Sequence, residues 1–448
     1  MSQGPARTIA LHTLGCKLNY AETATIGRQF ERVGYRLVPL GAGADVVVVN
    51  TCSVTERADR ECRQIVRRAL RSSPNAFVAV VGCYAQLRAK EIAAIEGVDL
   101  VAGTEQKFDL VPLVGNGHKM GRARIVRSDV RGAVEAAPAT SAGAGRTRAF
   151  LKIQDGCDYT CAFCTIPEAR GASRSVPEEA VLEGARQLVD EGYQEIVLTG
   201  VNTADYGSRG GQSLVRLLRS LTAIGGLERL RISSIEPNLL SDELLAFWLA
   251  ESKLCKHWHI PLQSGSNPVL ARMRRRYRSE WYVDRVRRIT AAVPDAGIGV
   301  DVIVGFPGET EDEFGETEAL LNELPVSYLH VFSYSERPGT AALALPLPVP
   351  MQQRAERSER LRSLSERKRR LFHERFIDRI VDVLVEGRTE RGWNTGLTEH
   401  YVRVEWDSME VRPHGRIPVR ILSADHDSCV GTPVSDHRAQ ERGASYAA

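Results

Sequence analysis

The sequence contains no apolar stretch approaching the ~20 residues that a membrane-spanning helix requires, so a helical membrane protein is not expected. Its first residues, MSQGPARTIALHTLGCKLN, hold no long apolar segment with a small-residue cleavage site, so a cytoplasmic location is expected. No repeat of roughly 20–50 residues is present, which argues against a solenoid. Charge of one sign is barely in excess. Lys and Arg number 59 and Asp and Glu 56, a net charge of +3, so any nucleic-acid surface must be local. In a reducing compartment, nine cysteines are not expected to be a disulfide framework, and their thiolates are available for metal.

What is present is a folded chain of 448 residues, 43% hydrophobic and 26% charged, too long for one core; two or three domains are expected. TIALHTLG, DVVVVN, AFVAVVG and VDLVAG are short apolar runs separated by segments of helical spacing, which predicts a parallel α/β sheet. RGAVEAAPATSAGAGRT, residues 131–147, has the composition of a linker or exposed loop. The rhythm restarts with AFLKIQDG, QEIVLTG, LERLRISS, HWHIPLQ, GIGVDVIVG and VSYLHVFSY. Six such units predict a partial (βα)6 barrel whose chemistry sits at the C-terminal ends of its strands. RIVDVLVEG, TEHYVRVEW and GRIPVRILSA predict a small all-β module. The expected domains are 1–130, a linker at 131–147, 148–377 and 378–440. Two basic runs stand out. RAERSERLRSLSERKRRLFHERF, with its interspersed glutamates, reads as a solvated helix face. RMRRRYR, residues 272–278, has no acidic residue and is a candidate phosphate-contacting surface.

GCDYTCAFC places Cys157, Cys161 and Cys164 just after the strand AFLKIQDG, in a C-x3-C-x2-C pattern. A structural zinc site needs four ligands, and His12, His257 and His259 have no zinc-like spacing to this loop. Iron–sulfur clusters usually take four thiolates; three would leave one iron open for a small molecule. Zinc and plain structural thiols remain the alternatives. Cys16, Cys52 and Cys83 each follow a predicted parallel strand by one or two residues, so they are expected to converge in one crevice, unless they are three unrelated buried thiols. Cys62, Cys255 and Cys429 share neither position and are read as ordinary thiols.

The C-x3-C-x2-C loop, with Phe163 before its last cysteine, resembles the radical S-adenosylmethionine enzymes. TLGCKLN, NTCSVTERADR, VGCYAQ, FLKIQDGCDYTCAFCTIPEARG, EIVLTGVN, LRISSIEP, HIPLQSGS, DVIVGFPGETEDEF and HVFSYSERPGT resemble, in order, the segments of the methylthiotransferases. The tail resembles the RNA-binding TRAM module. The resemblance implies two 4Fe–4S clusters, one on Cys16, Cys52 and Cys83 and one on Cys157, Cys161 and Cys164. It also implies S-adenosylmethionine as cofactor, tRNA as a partner, and electron and sulfur donors of unknown identity. One S-adenosylmethionine methylates a sulfur on the first cluster, and another supplies the radical that turns a C–H bond into C–S–CH3. Candidates for contacts to S-adenosylmethionine are Phe163, Thr199, Gly200, Ser234, Glu236, Gln263 and Ser264. Arg274, Arg275 and Arg276 are candidates for the substrate. In IPEARG, Glu168 replaces a more usual aromatic. Lys17 and Leu18 after the first cysteine resemble the group that acts on N6-threonylcarbamoyladenosine beside the tRNA anticodon. The alternatives are isopentenyladenosine in tRNA, an aspartate of a ribosomal protein, or an RNA-binding iron–sulfur protein without turnover.

Overall fold

The computed structural model describes residues 6–53, 55–141, 147–407 and 415–434. Residues 1–5 and 54 of the expected first domain, 142–146 of the expected linker, and 408–414 and 435–440 of the expected C-terminal module lie outside the described residues.

The first unit is a six-stranded sheet of β1 (Thr8–Thr13), β2 (Arg36–Leu37), β3 (Val46–Thr51), β4 (Phe77–Gly82), β5 (Leu100–Ala102) and β6 (Arg124–Val126). Its order is β2-β1-β3-β4-β5-β6 and every pairing is parallel. All residues of β3 and β4 are buried, because helices cover both faces. That is why these strands read as unbroken valine-rich runs rather than alternating ones. The short strands β2 and β6 went unforeseen, since two or three residues carry no period.

The barrel begins with β7 (Arg148–Lys152), followed by a small antiparallel pair, β8 (Gln154–Asp155) and β9 (Arg174–Ser175), that brackets the cysteine loop. It continues with β10 (Glu195–Thr199), β11 (Arg229–Ile232), β12 (His257–His259), β13 (Gly297–Val304) and β14 (Tyr328–Ser333). The six expected strands form two parallel halves, β7-β10-β11 and β12-β13-β14. They are joined where Ile235 N–H donates to His259 O at 2.9 Å. One core runs through both halves and includes Trp248 and Trp258.

The segment expected as a free linker is packed. Ala136, Ala139 and Ser141 are buried. Ser141 N–H donates to Phe150 O and Lys152 N–H to Ala139 O, each at 2.9 Å. The segment thereby pairs the open edge of the barrel's first strand, which would otherwise expose unpaired peptide groups. The helix Met351–Glu374 also departs from a solvated face. Arg354 and Arg357 are buried, with Arg357 paired to Glu309 at 2.8 Å and Arg354 to Glu336 at 2.6 Å.

The last unit is a closed barrel, β15 (Ile380–Arg388), β16 (Asn394–Thr398), β17 (Arg403–Trp406), β18 (Arg416–Ala424) and β19 (Cys429–Pro433), in the order β15-β16-β17-β19-β18. Alternate residues Val383, Val385, Val404, Trp406, Val419 and Ile421 fill it, and closure leaves no free edge. The unit docks against the strand-start end of the larger barrel. Arg229 Nη2 donates to Asp382 O at 2.7 Å, and Arg231 donates to Thr398 O at 3.1 Å and Glu399 O at 3.0 Å.

Candidate metal and cofactor site

Cys16, Cys52 and Cys83 lie at the ends of the adjacent strands β1, β3 and β4. Two glycines make this close approach possible. Gly15 has φ +93°, and a Cβ there would sit 2.5 Å from Cys52 Cβ; Gly82 has φ +96°, and a Cβ there would meet Asn50 Oδ1 at 2.4 Å. Both backbones are in the region that favours glycine. Asn19 ties the first two loops together, its amide donating to Leu14 O at 2.8 Å and Thr51 O at 3.0 Å. Cys16 is exposed, whereas Cys52 and Cys83 are buried. The Cys83 sulfur accepts from Arg170 Nε at 3.2 Å.

Cys157, Cys161 and Cys164 share one loop beyond β7 and β8. Each sulfur accepts an N–H: Cys157 from Tyr159 at 3.4 Å, Cys164 from Ile166 at 3.4 Å and Cys161 from Arg275 Nη1 at 3.1 Å. Burial pushes the thiols of Cys157 and Cys164 up to about 12, so a metal must displace their protons. Three part-buried sulfurs that all act as acceptors fit a thiolate-held iron–sulfur cluster. His257 and His259 have other partners. His257 Nε2 bonds Tyr328 Oη at 2.8 Å, and His259 bonds Ser234 Oγ at 2.6 Å and Asp301 Oδ1 at 3.0 Å.

A cavity of 210 Å3 adjoins this loop, lined by Phe163, Cys164, Thr165 and Ile166 from it, Gln263, Asp301 and Ile303 from the barrel, Phe332 to Ser335 at the end of β14 and just past it, and Thr55 from the first unit. It therefore lies where the second cysteine loop and the barrel meet the first unit. Of the residues expected to hold S-adenosylmethionine, Phe163 and Gln263 line it. Thr199 is buried, and the neighbouring Val201 and Asn202 N–H groups donate to Gln154 Oε1 at 2.9 Å, which lies 2.9 Å from where a Gly200 Cβ would stand. Ser234 faces His259 and Glu236 pairs with Arg275. Ser264 is turned away, fully buried and bonded to Thr317 Oγ1 at 3.1 Å.

The arginine run divides. Arg274 and Arg276 are exposed, and Arg276 stacks 4.0 Å from the Tyr159 ring centroid. Arg275, with a side chain 3% exposed, points inward to Glu236 and Cys161, because it closes the second cysteine loop. Lys17 does not face the cavity; its ammonium lies 5.9 Å from the Tyr401 ring centroid. Glu168 is exposed.

Sequence reasoning missed the charge cluster between the units. Arg170 donates to Glu22 and Asp155 at 3.0 Å and to Asn19 Oδ1 at 2.6 Å. Lys107 meets Glu22 at 2.6 Å, and Lys152 meets Glu22 at 3.1 Å and Asp155 at 2.6 Å. All five charged groups are buried. Burial opposes ionisation of Glu22, but Arg170, Lys107 and Lys152 outweigh it and hold the carboxyl well below its usual range. The available signal was the presence of Asn19, Glu22 and Arg170 within or next to the cysteine motifs.

A three-cysteine loop beside a cavity at the mouth of a six-stranded barrel, with a second triad at the strand ends of the adjoining sheet, has the layout of a radical S-adenosylmethionine enzyme. Residues 151–321 match the Radical SAM superfamily and residues 8–103 match a family described as Uncharacterized protein family UPF0004. The chain belongs to the radical S-adenosylmethionine methylthiotransferase family. It is 40% identical to a threonylcarbamoyladenosine tRNA methylthiotransferase MtaB of Bacillus subtilis (strain 168), over 94% of each chain. A protein of the same name from Aquifex aeolicus (strain VF5) is 38% identical over 89% of this chain and 96% of its own. A tRNA-2-methylthio-N(6)-dimethylallyladenosine synthase of Syntrophotalea carbinolica (strain DSM 2380 / NBRC 103641 / GraBd1) is 34% identical over 96% of this chain and 100% of its own. The solved structure of the radical S-adenosylmethionine methyltransferase TsrM from Kitasatospora setae, with cobalamin and a [4Fe-4S] cluster bound, shares the fold at a TM-score of 0.54. It is 15% identical, over 75% of this chain and 77% of that one. Among the described residues no helix is long and apolar enough to cross a membrane.

Proposed function

We propose that the protein converts N6-threonylcarbamoyladenosine beside the tRNA anticodon into its 2-methylthio derivative. The observation that carries this reading is the cavity beside the second cysteine loop, with Thr55 of the first unit in its wall, in a chain matching proteins named for that reaction along nearly its whole length. When bound, a 4Fe–4S cluster on Cys157, Cys161 and Cys164 with S-adenosylmethionine on its open iron supplies a carbon-centred radical, and a second cluster on Cys16, Cys52 and Cys83 presents the sulfur. The chain does the rest. Its cysteine loops are held by N–H donors, Arg337 pins Ser53 and Asp59 to the barrel at 2.8 and 2.6 Å, and Phe163, Phe332 and Ile303 give the cavity apolar walls that keep water from a reactive carbon. The electron and sulfur donors are external to the chain, and tRNA is engaged through exposed arginines and the C-terminal barrel.

The test offers the reconstituted enzyme tRNA carrying threonylcarbamoyladenosine or isopentenyladenosine, deuterated at carbon 2 of the base. The expected result is faster methylthiolation of the first, with deuterium appearing in 5′-deoxyadenosine. Faster turnover of isopentenyladenosine would overturn the substrate assignment.

A further inference from the structure

Each triad receives one side-chain hydrogen bond from a buried arginine, and the two arginines are compensated differently. Arg275, on Cys161 at 3.1 Å, is paired with the single carboxylate of Glu236, so that local set is neutral. Arg170, on Cys83 at 3.2 Å, belongs to a set with Lys107 and Lys152 against Glu22 and Asp155. Three cations against two carboxylates leave one positive charge uncompensated, at sites no more than 3% exposed. Adding Arg174 with its partner Glu105 leaves that sum unchanged. A buried surplus of charge is costly unless an anion lies beside it, and three thiolates holding a cluster are such an anion. Arg170 also ends the helix Ile166–Arg170, which starts two residues after Cys164, so one turn of backbone joins the second cysteine loop to a ligand of the first.

We propose that Arg170 is a positioning residue for the cluster on Cys16, Cys52 and Cys83: its Nε–H on the Cys83 sulfur, with the surplus charge around it, raises that cluster's reduction potential. Hydrogen bonds to sulfur and local net charge are the protein's levers on such potentials. The consequence for the reaction follows from electron counting. A carbon radical that bonds to a methylthiolate anion gives a closed-shell thioether and one surplus electron, and a cluster of raised potential beside the sulfur is the acceptor. The proposal rests on the reading that the first triad holds a cluster.

The experiment uses the full chain with Cys157, Cys161 and Cys164 replaced by alanine, reconstituted anaerobically with iron and sulfide, so that only the first triad reports. Iron is counted and the midpoint is taken from an electron-paramagnetic-resonance redox titration, with and without Arg170→Gln. The expected result is about four irons in both, with the Arg170→Gln midpoint lower by a tenfold change in the reduction equilibrium or more, about 59 mV for one electron. Arg275→Gln in the same background leaves the midpoint in place. Arg170→Lys keeps the charge that the fold needs but loses the directed Nε–H, and lowers the midpoint by less. Four irons with an unmoved midpoint in either Arg170 variant would overturn the proposal. A background protein that holds no iron would overturn the two-cluster reading, and this proposal with it.

Discussion

The two cysteine triads are assembled by opposite routes. Cys157, Cys161 and Cys164 come from one loop, held by N–H groups two residues from Cys157 and Cys164 and by Arg275 on Cys161. Cys16, Cys52 and Cys83 come from three strand ends and have no common loop. Their geometry depends on the sheet and on Asn19 bridging two turns, while Arg170 reaches Cys83 from the other unit. A local site tolerates loss of distant partners; an assembled one depends on them. Each variant below breaks or sharpens that contrast.

The largest effect is expected from Cys157→Ala, Cys161→Ala and Cys164→Ala together. S-adenosylmethionine cleavage should vanish, while iron analysis still finds about half of a two-cluster content. Loss of all iron would show that the sites are not independent. Glu22→Gln comes next. It strips the shared carboxylate from Arg170, Lys107 and Lys152, leaving buried cations unpaired at a cost of about 3–5 kcal/mol, read by denaturant unfolding. Iron on the first triad should fall and iron on the second should stay; equal losses from both would contradict the assembled-versus-local distinction.

A smaller effect is expected at the surface. Arg274→Gln with Arg276→Gln should flatten the salt dependence of tRNA binding by about 0.7–0.9 in log–log slope per phosphate contact removed, with cleavage of S-adenosylmethionine in the absence of tRNA unaltered. Arg275 belongs to the cysteine loop, so it is left in place. The smallest effect on metal is expected from Cys62→Ala. Cys62 is buried in the apolar core of the first unit, its thiol pushed up to about 12 by burial, and within electrostatic reach of Cys52. Iron content should be unchanged. A drop would make Cys62 a fourth ligand and the first site a closed one.

The same contrast explains what was legible in the sequence. The six barrel strands and the four Val- and Leu-rich strands of the first sheet announce themselves through apolar runs, and a C-x3-C-x2-C loop can be read from spacing alone. The strands β2, β8 and β16 carry no such apolar run, and only their pairing defines them. Arg170 and Glu22 are 148 positions apart, and nothing local to either announces the other. Arg275 looks like its neighbours in RMRRRYR; only the fold turns it inward toward Cys161. The Ala- and Gly-rich segment before the barrel has the composition of a linker, yet its backbone is needed to pair the edge of β7.

The central claim is that the triads carry separate halves of one reaction. Its most direct test is to replace Cys16, Cys52 and Cys83 with alanine, supply S-adenosylmethionine, a strong reductant and threonylcarbamoyladenosine-containing tRNA, and measure 5′-deoxyadenosine and methylthiolated nucleoside in the same sample. The account predicts continued formation of 5′-deoxyadenosine with no methylthiolated nucleoside; methylthiolation that survives the loss of those three cysteines would contradict it.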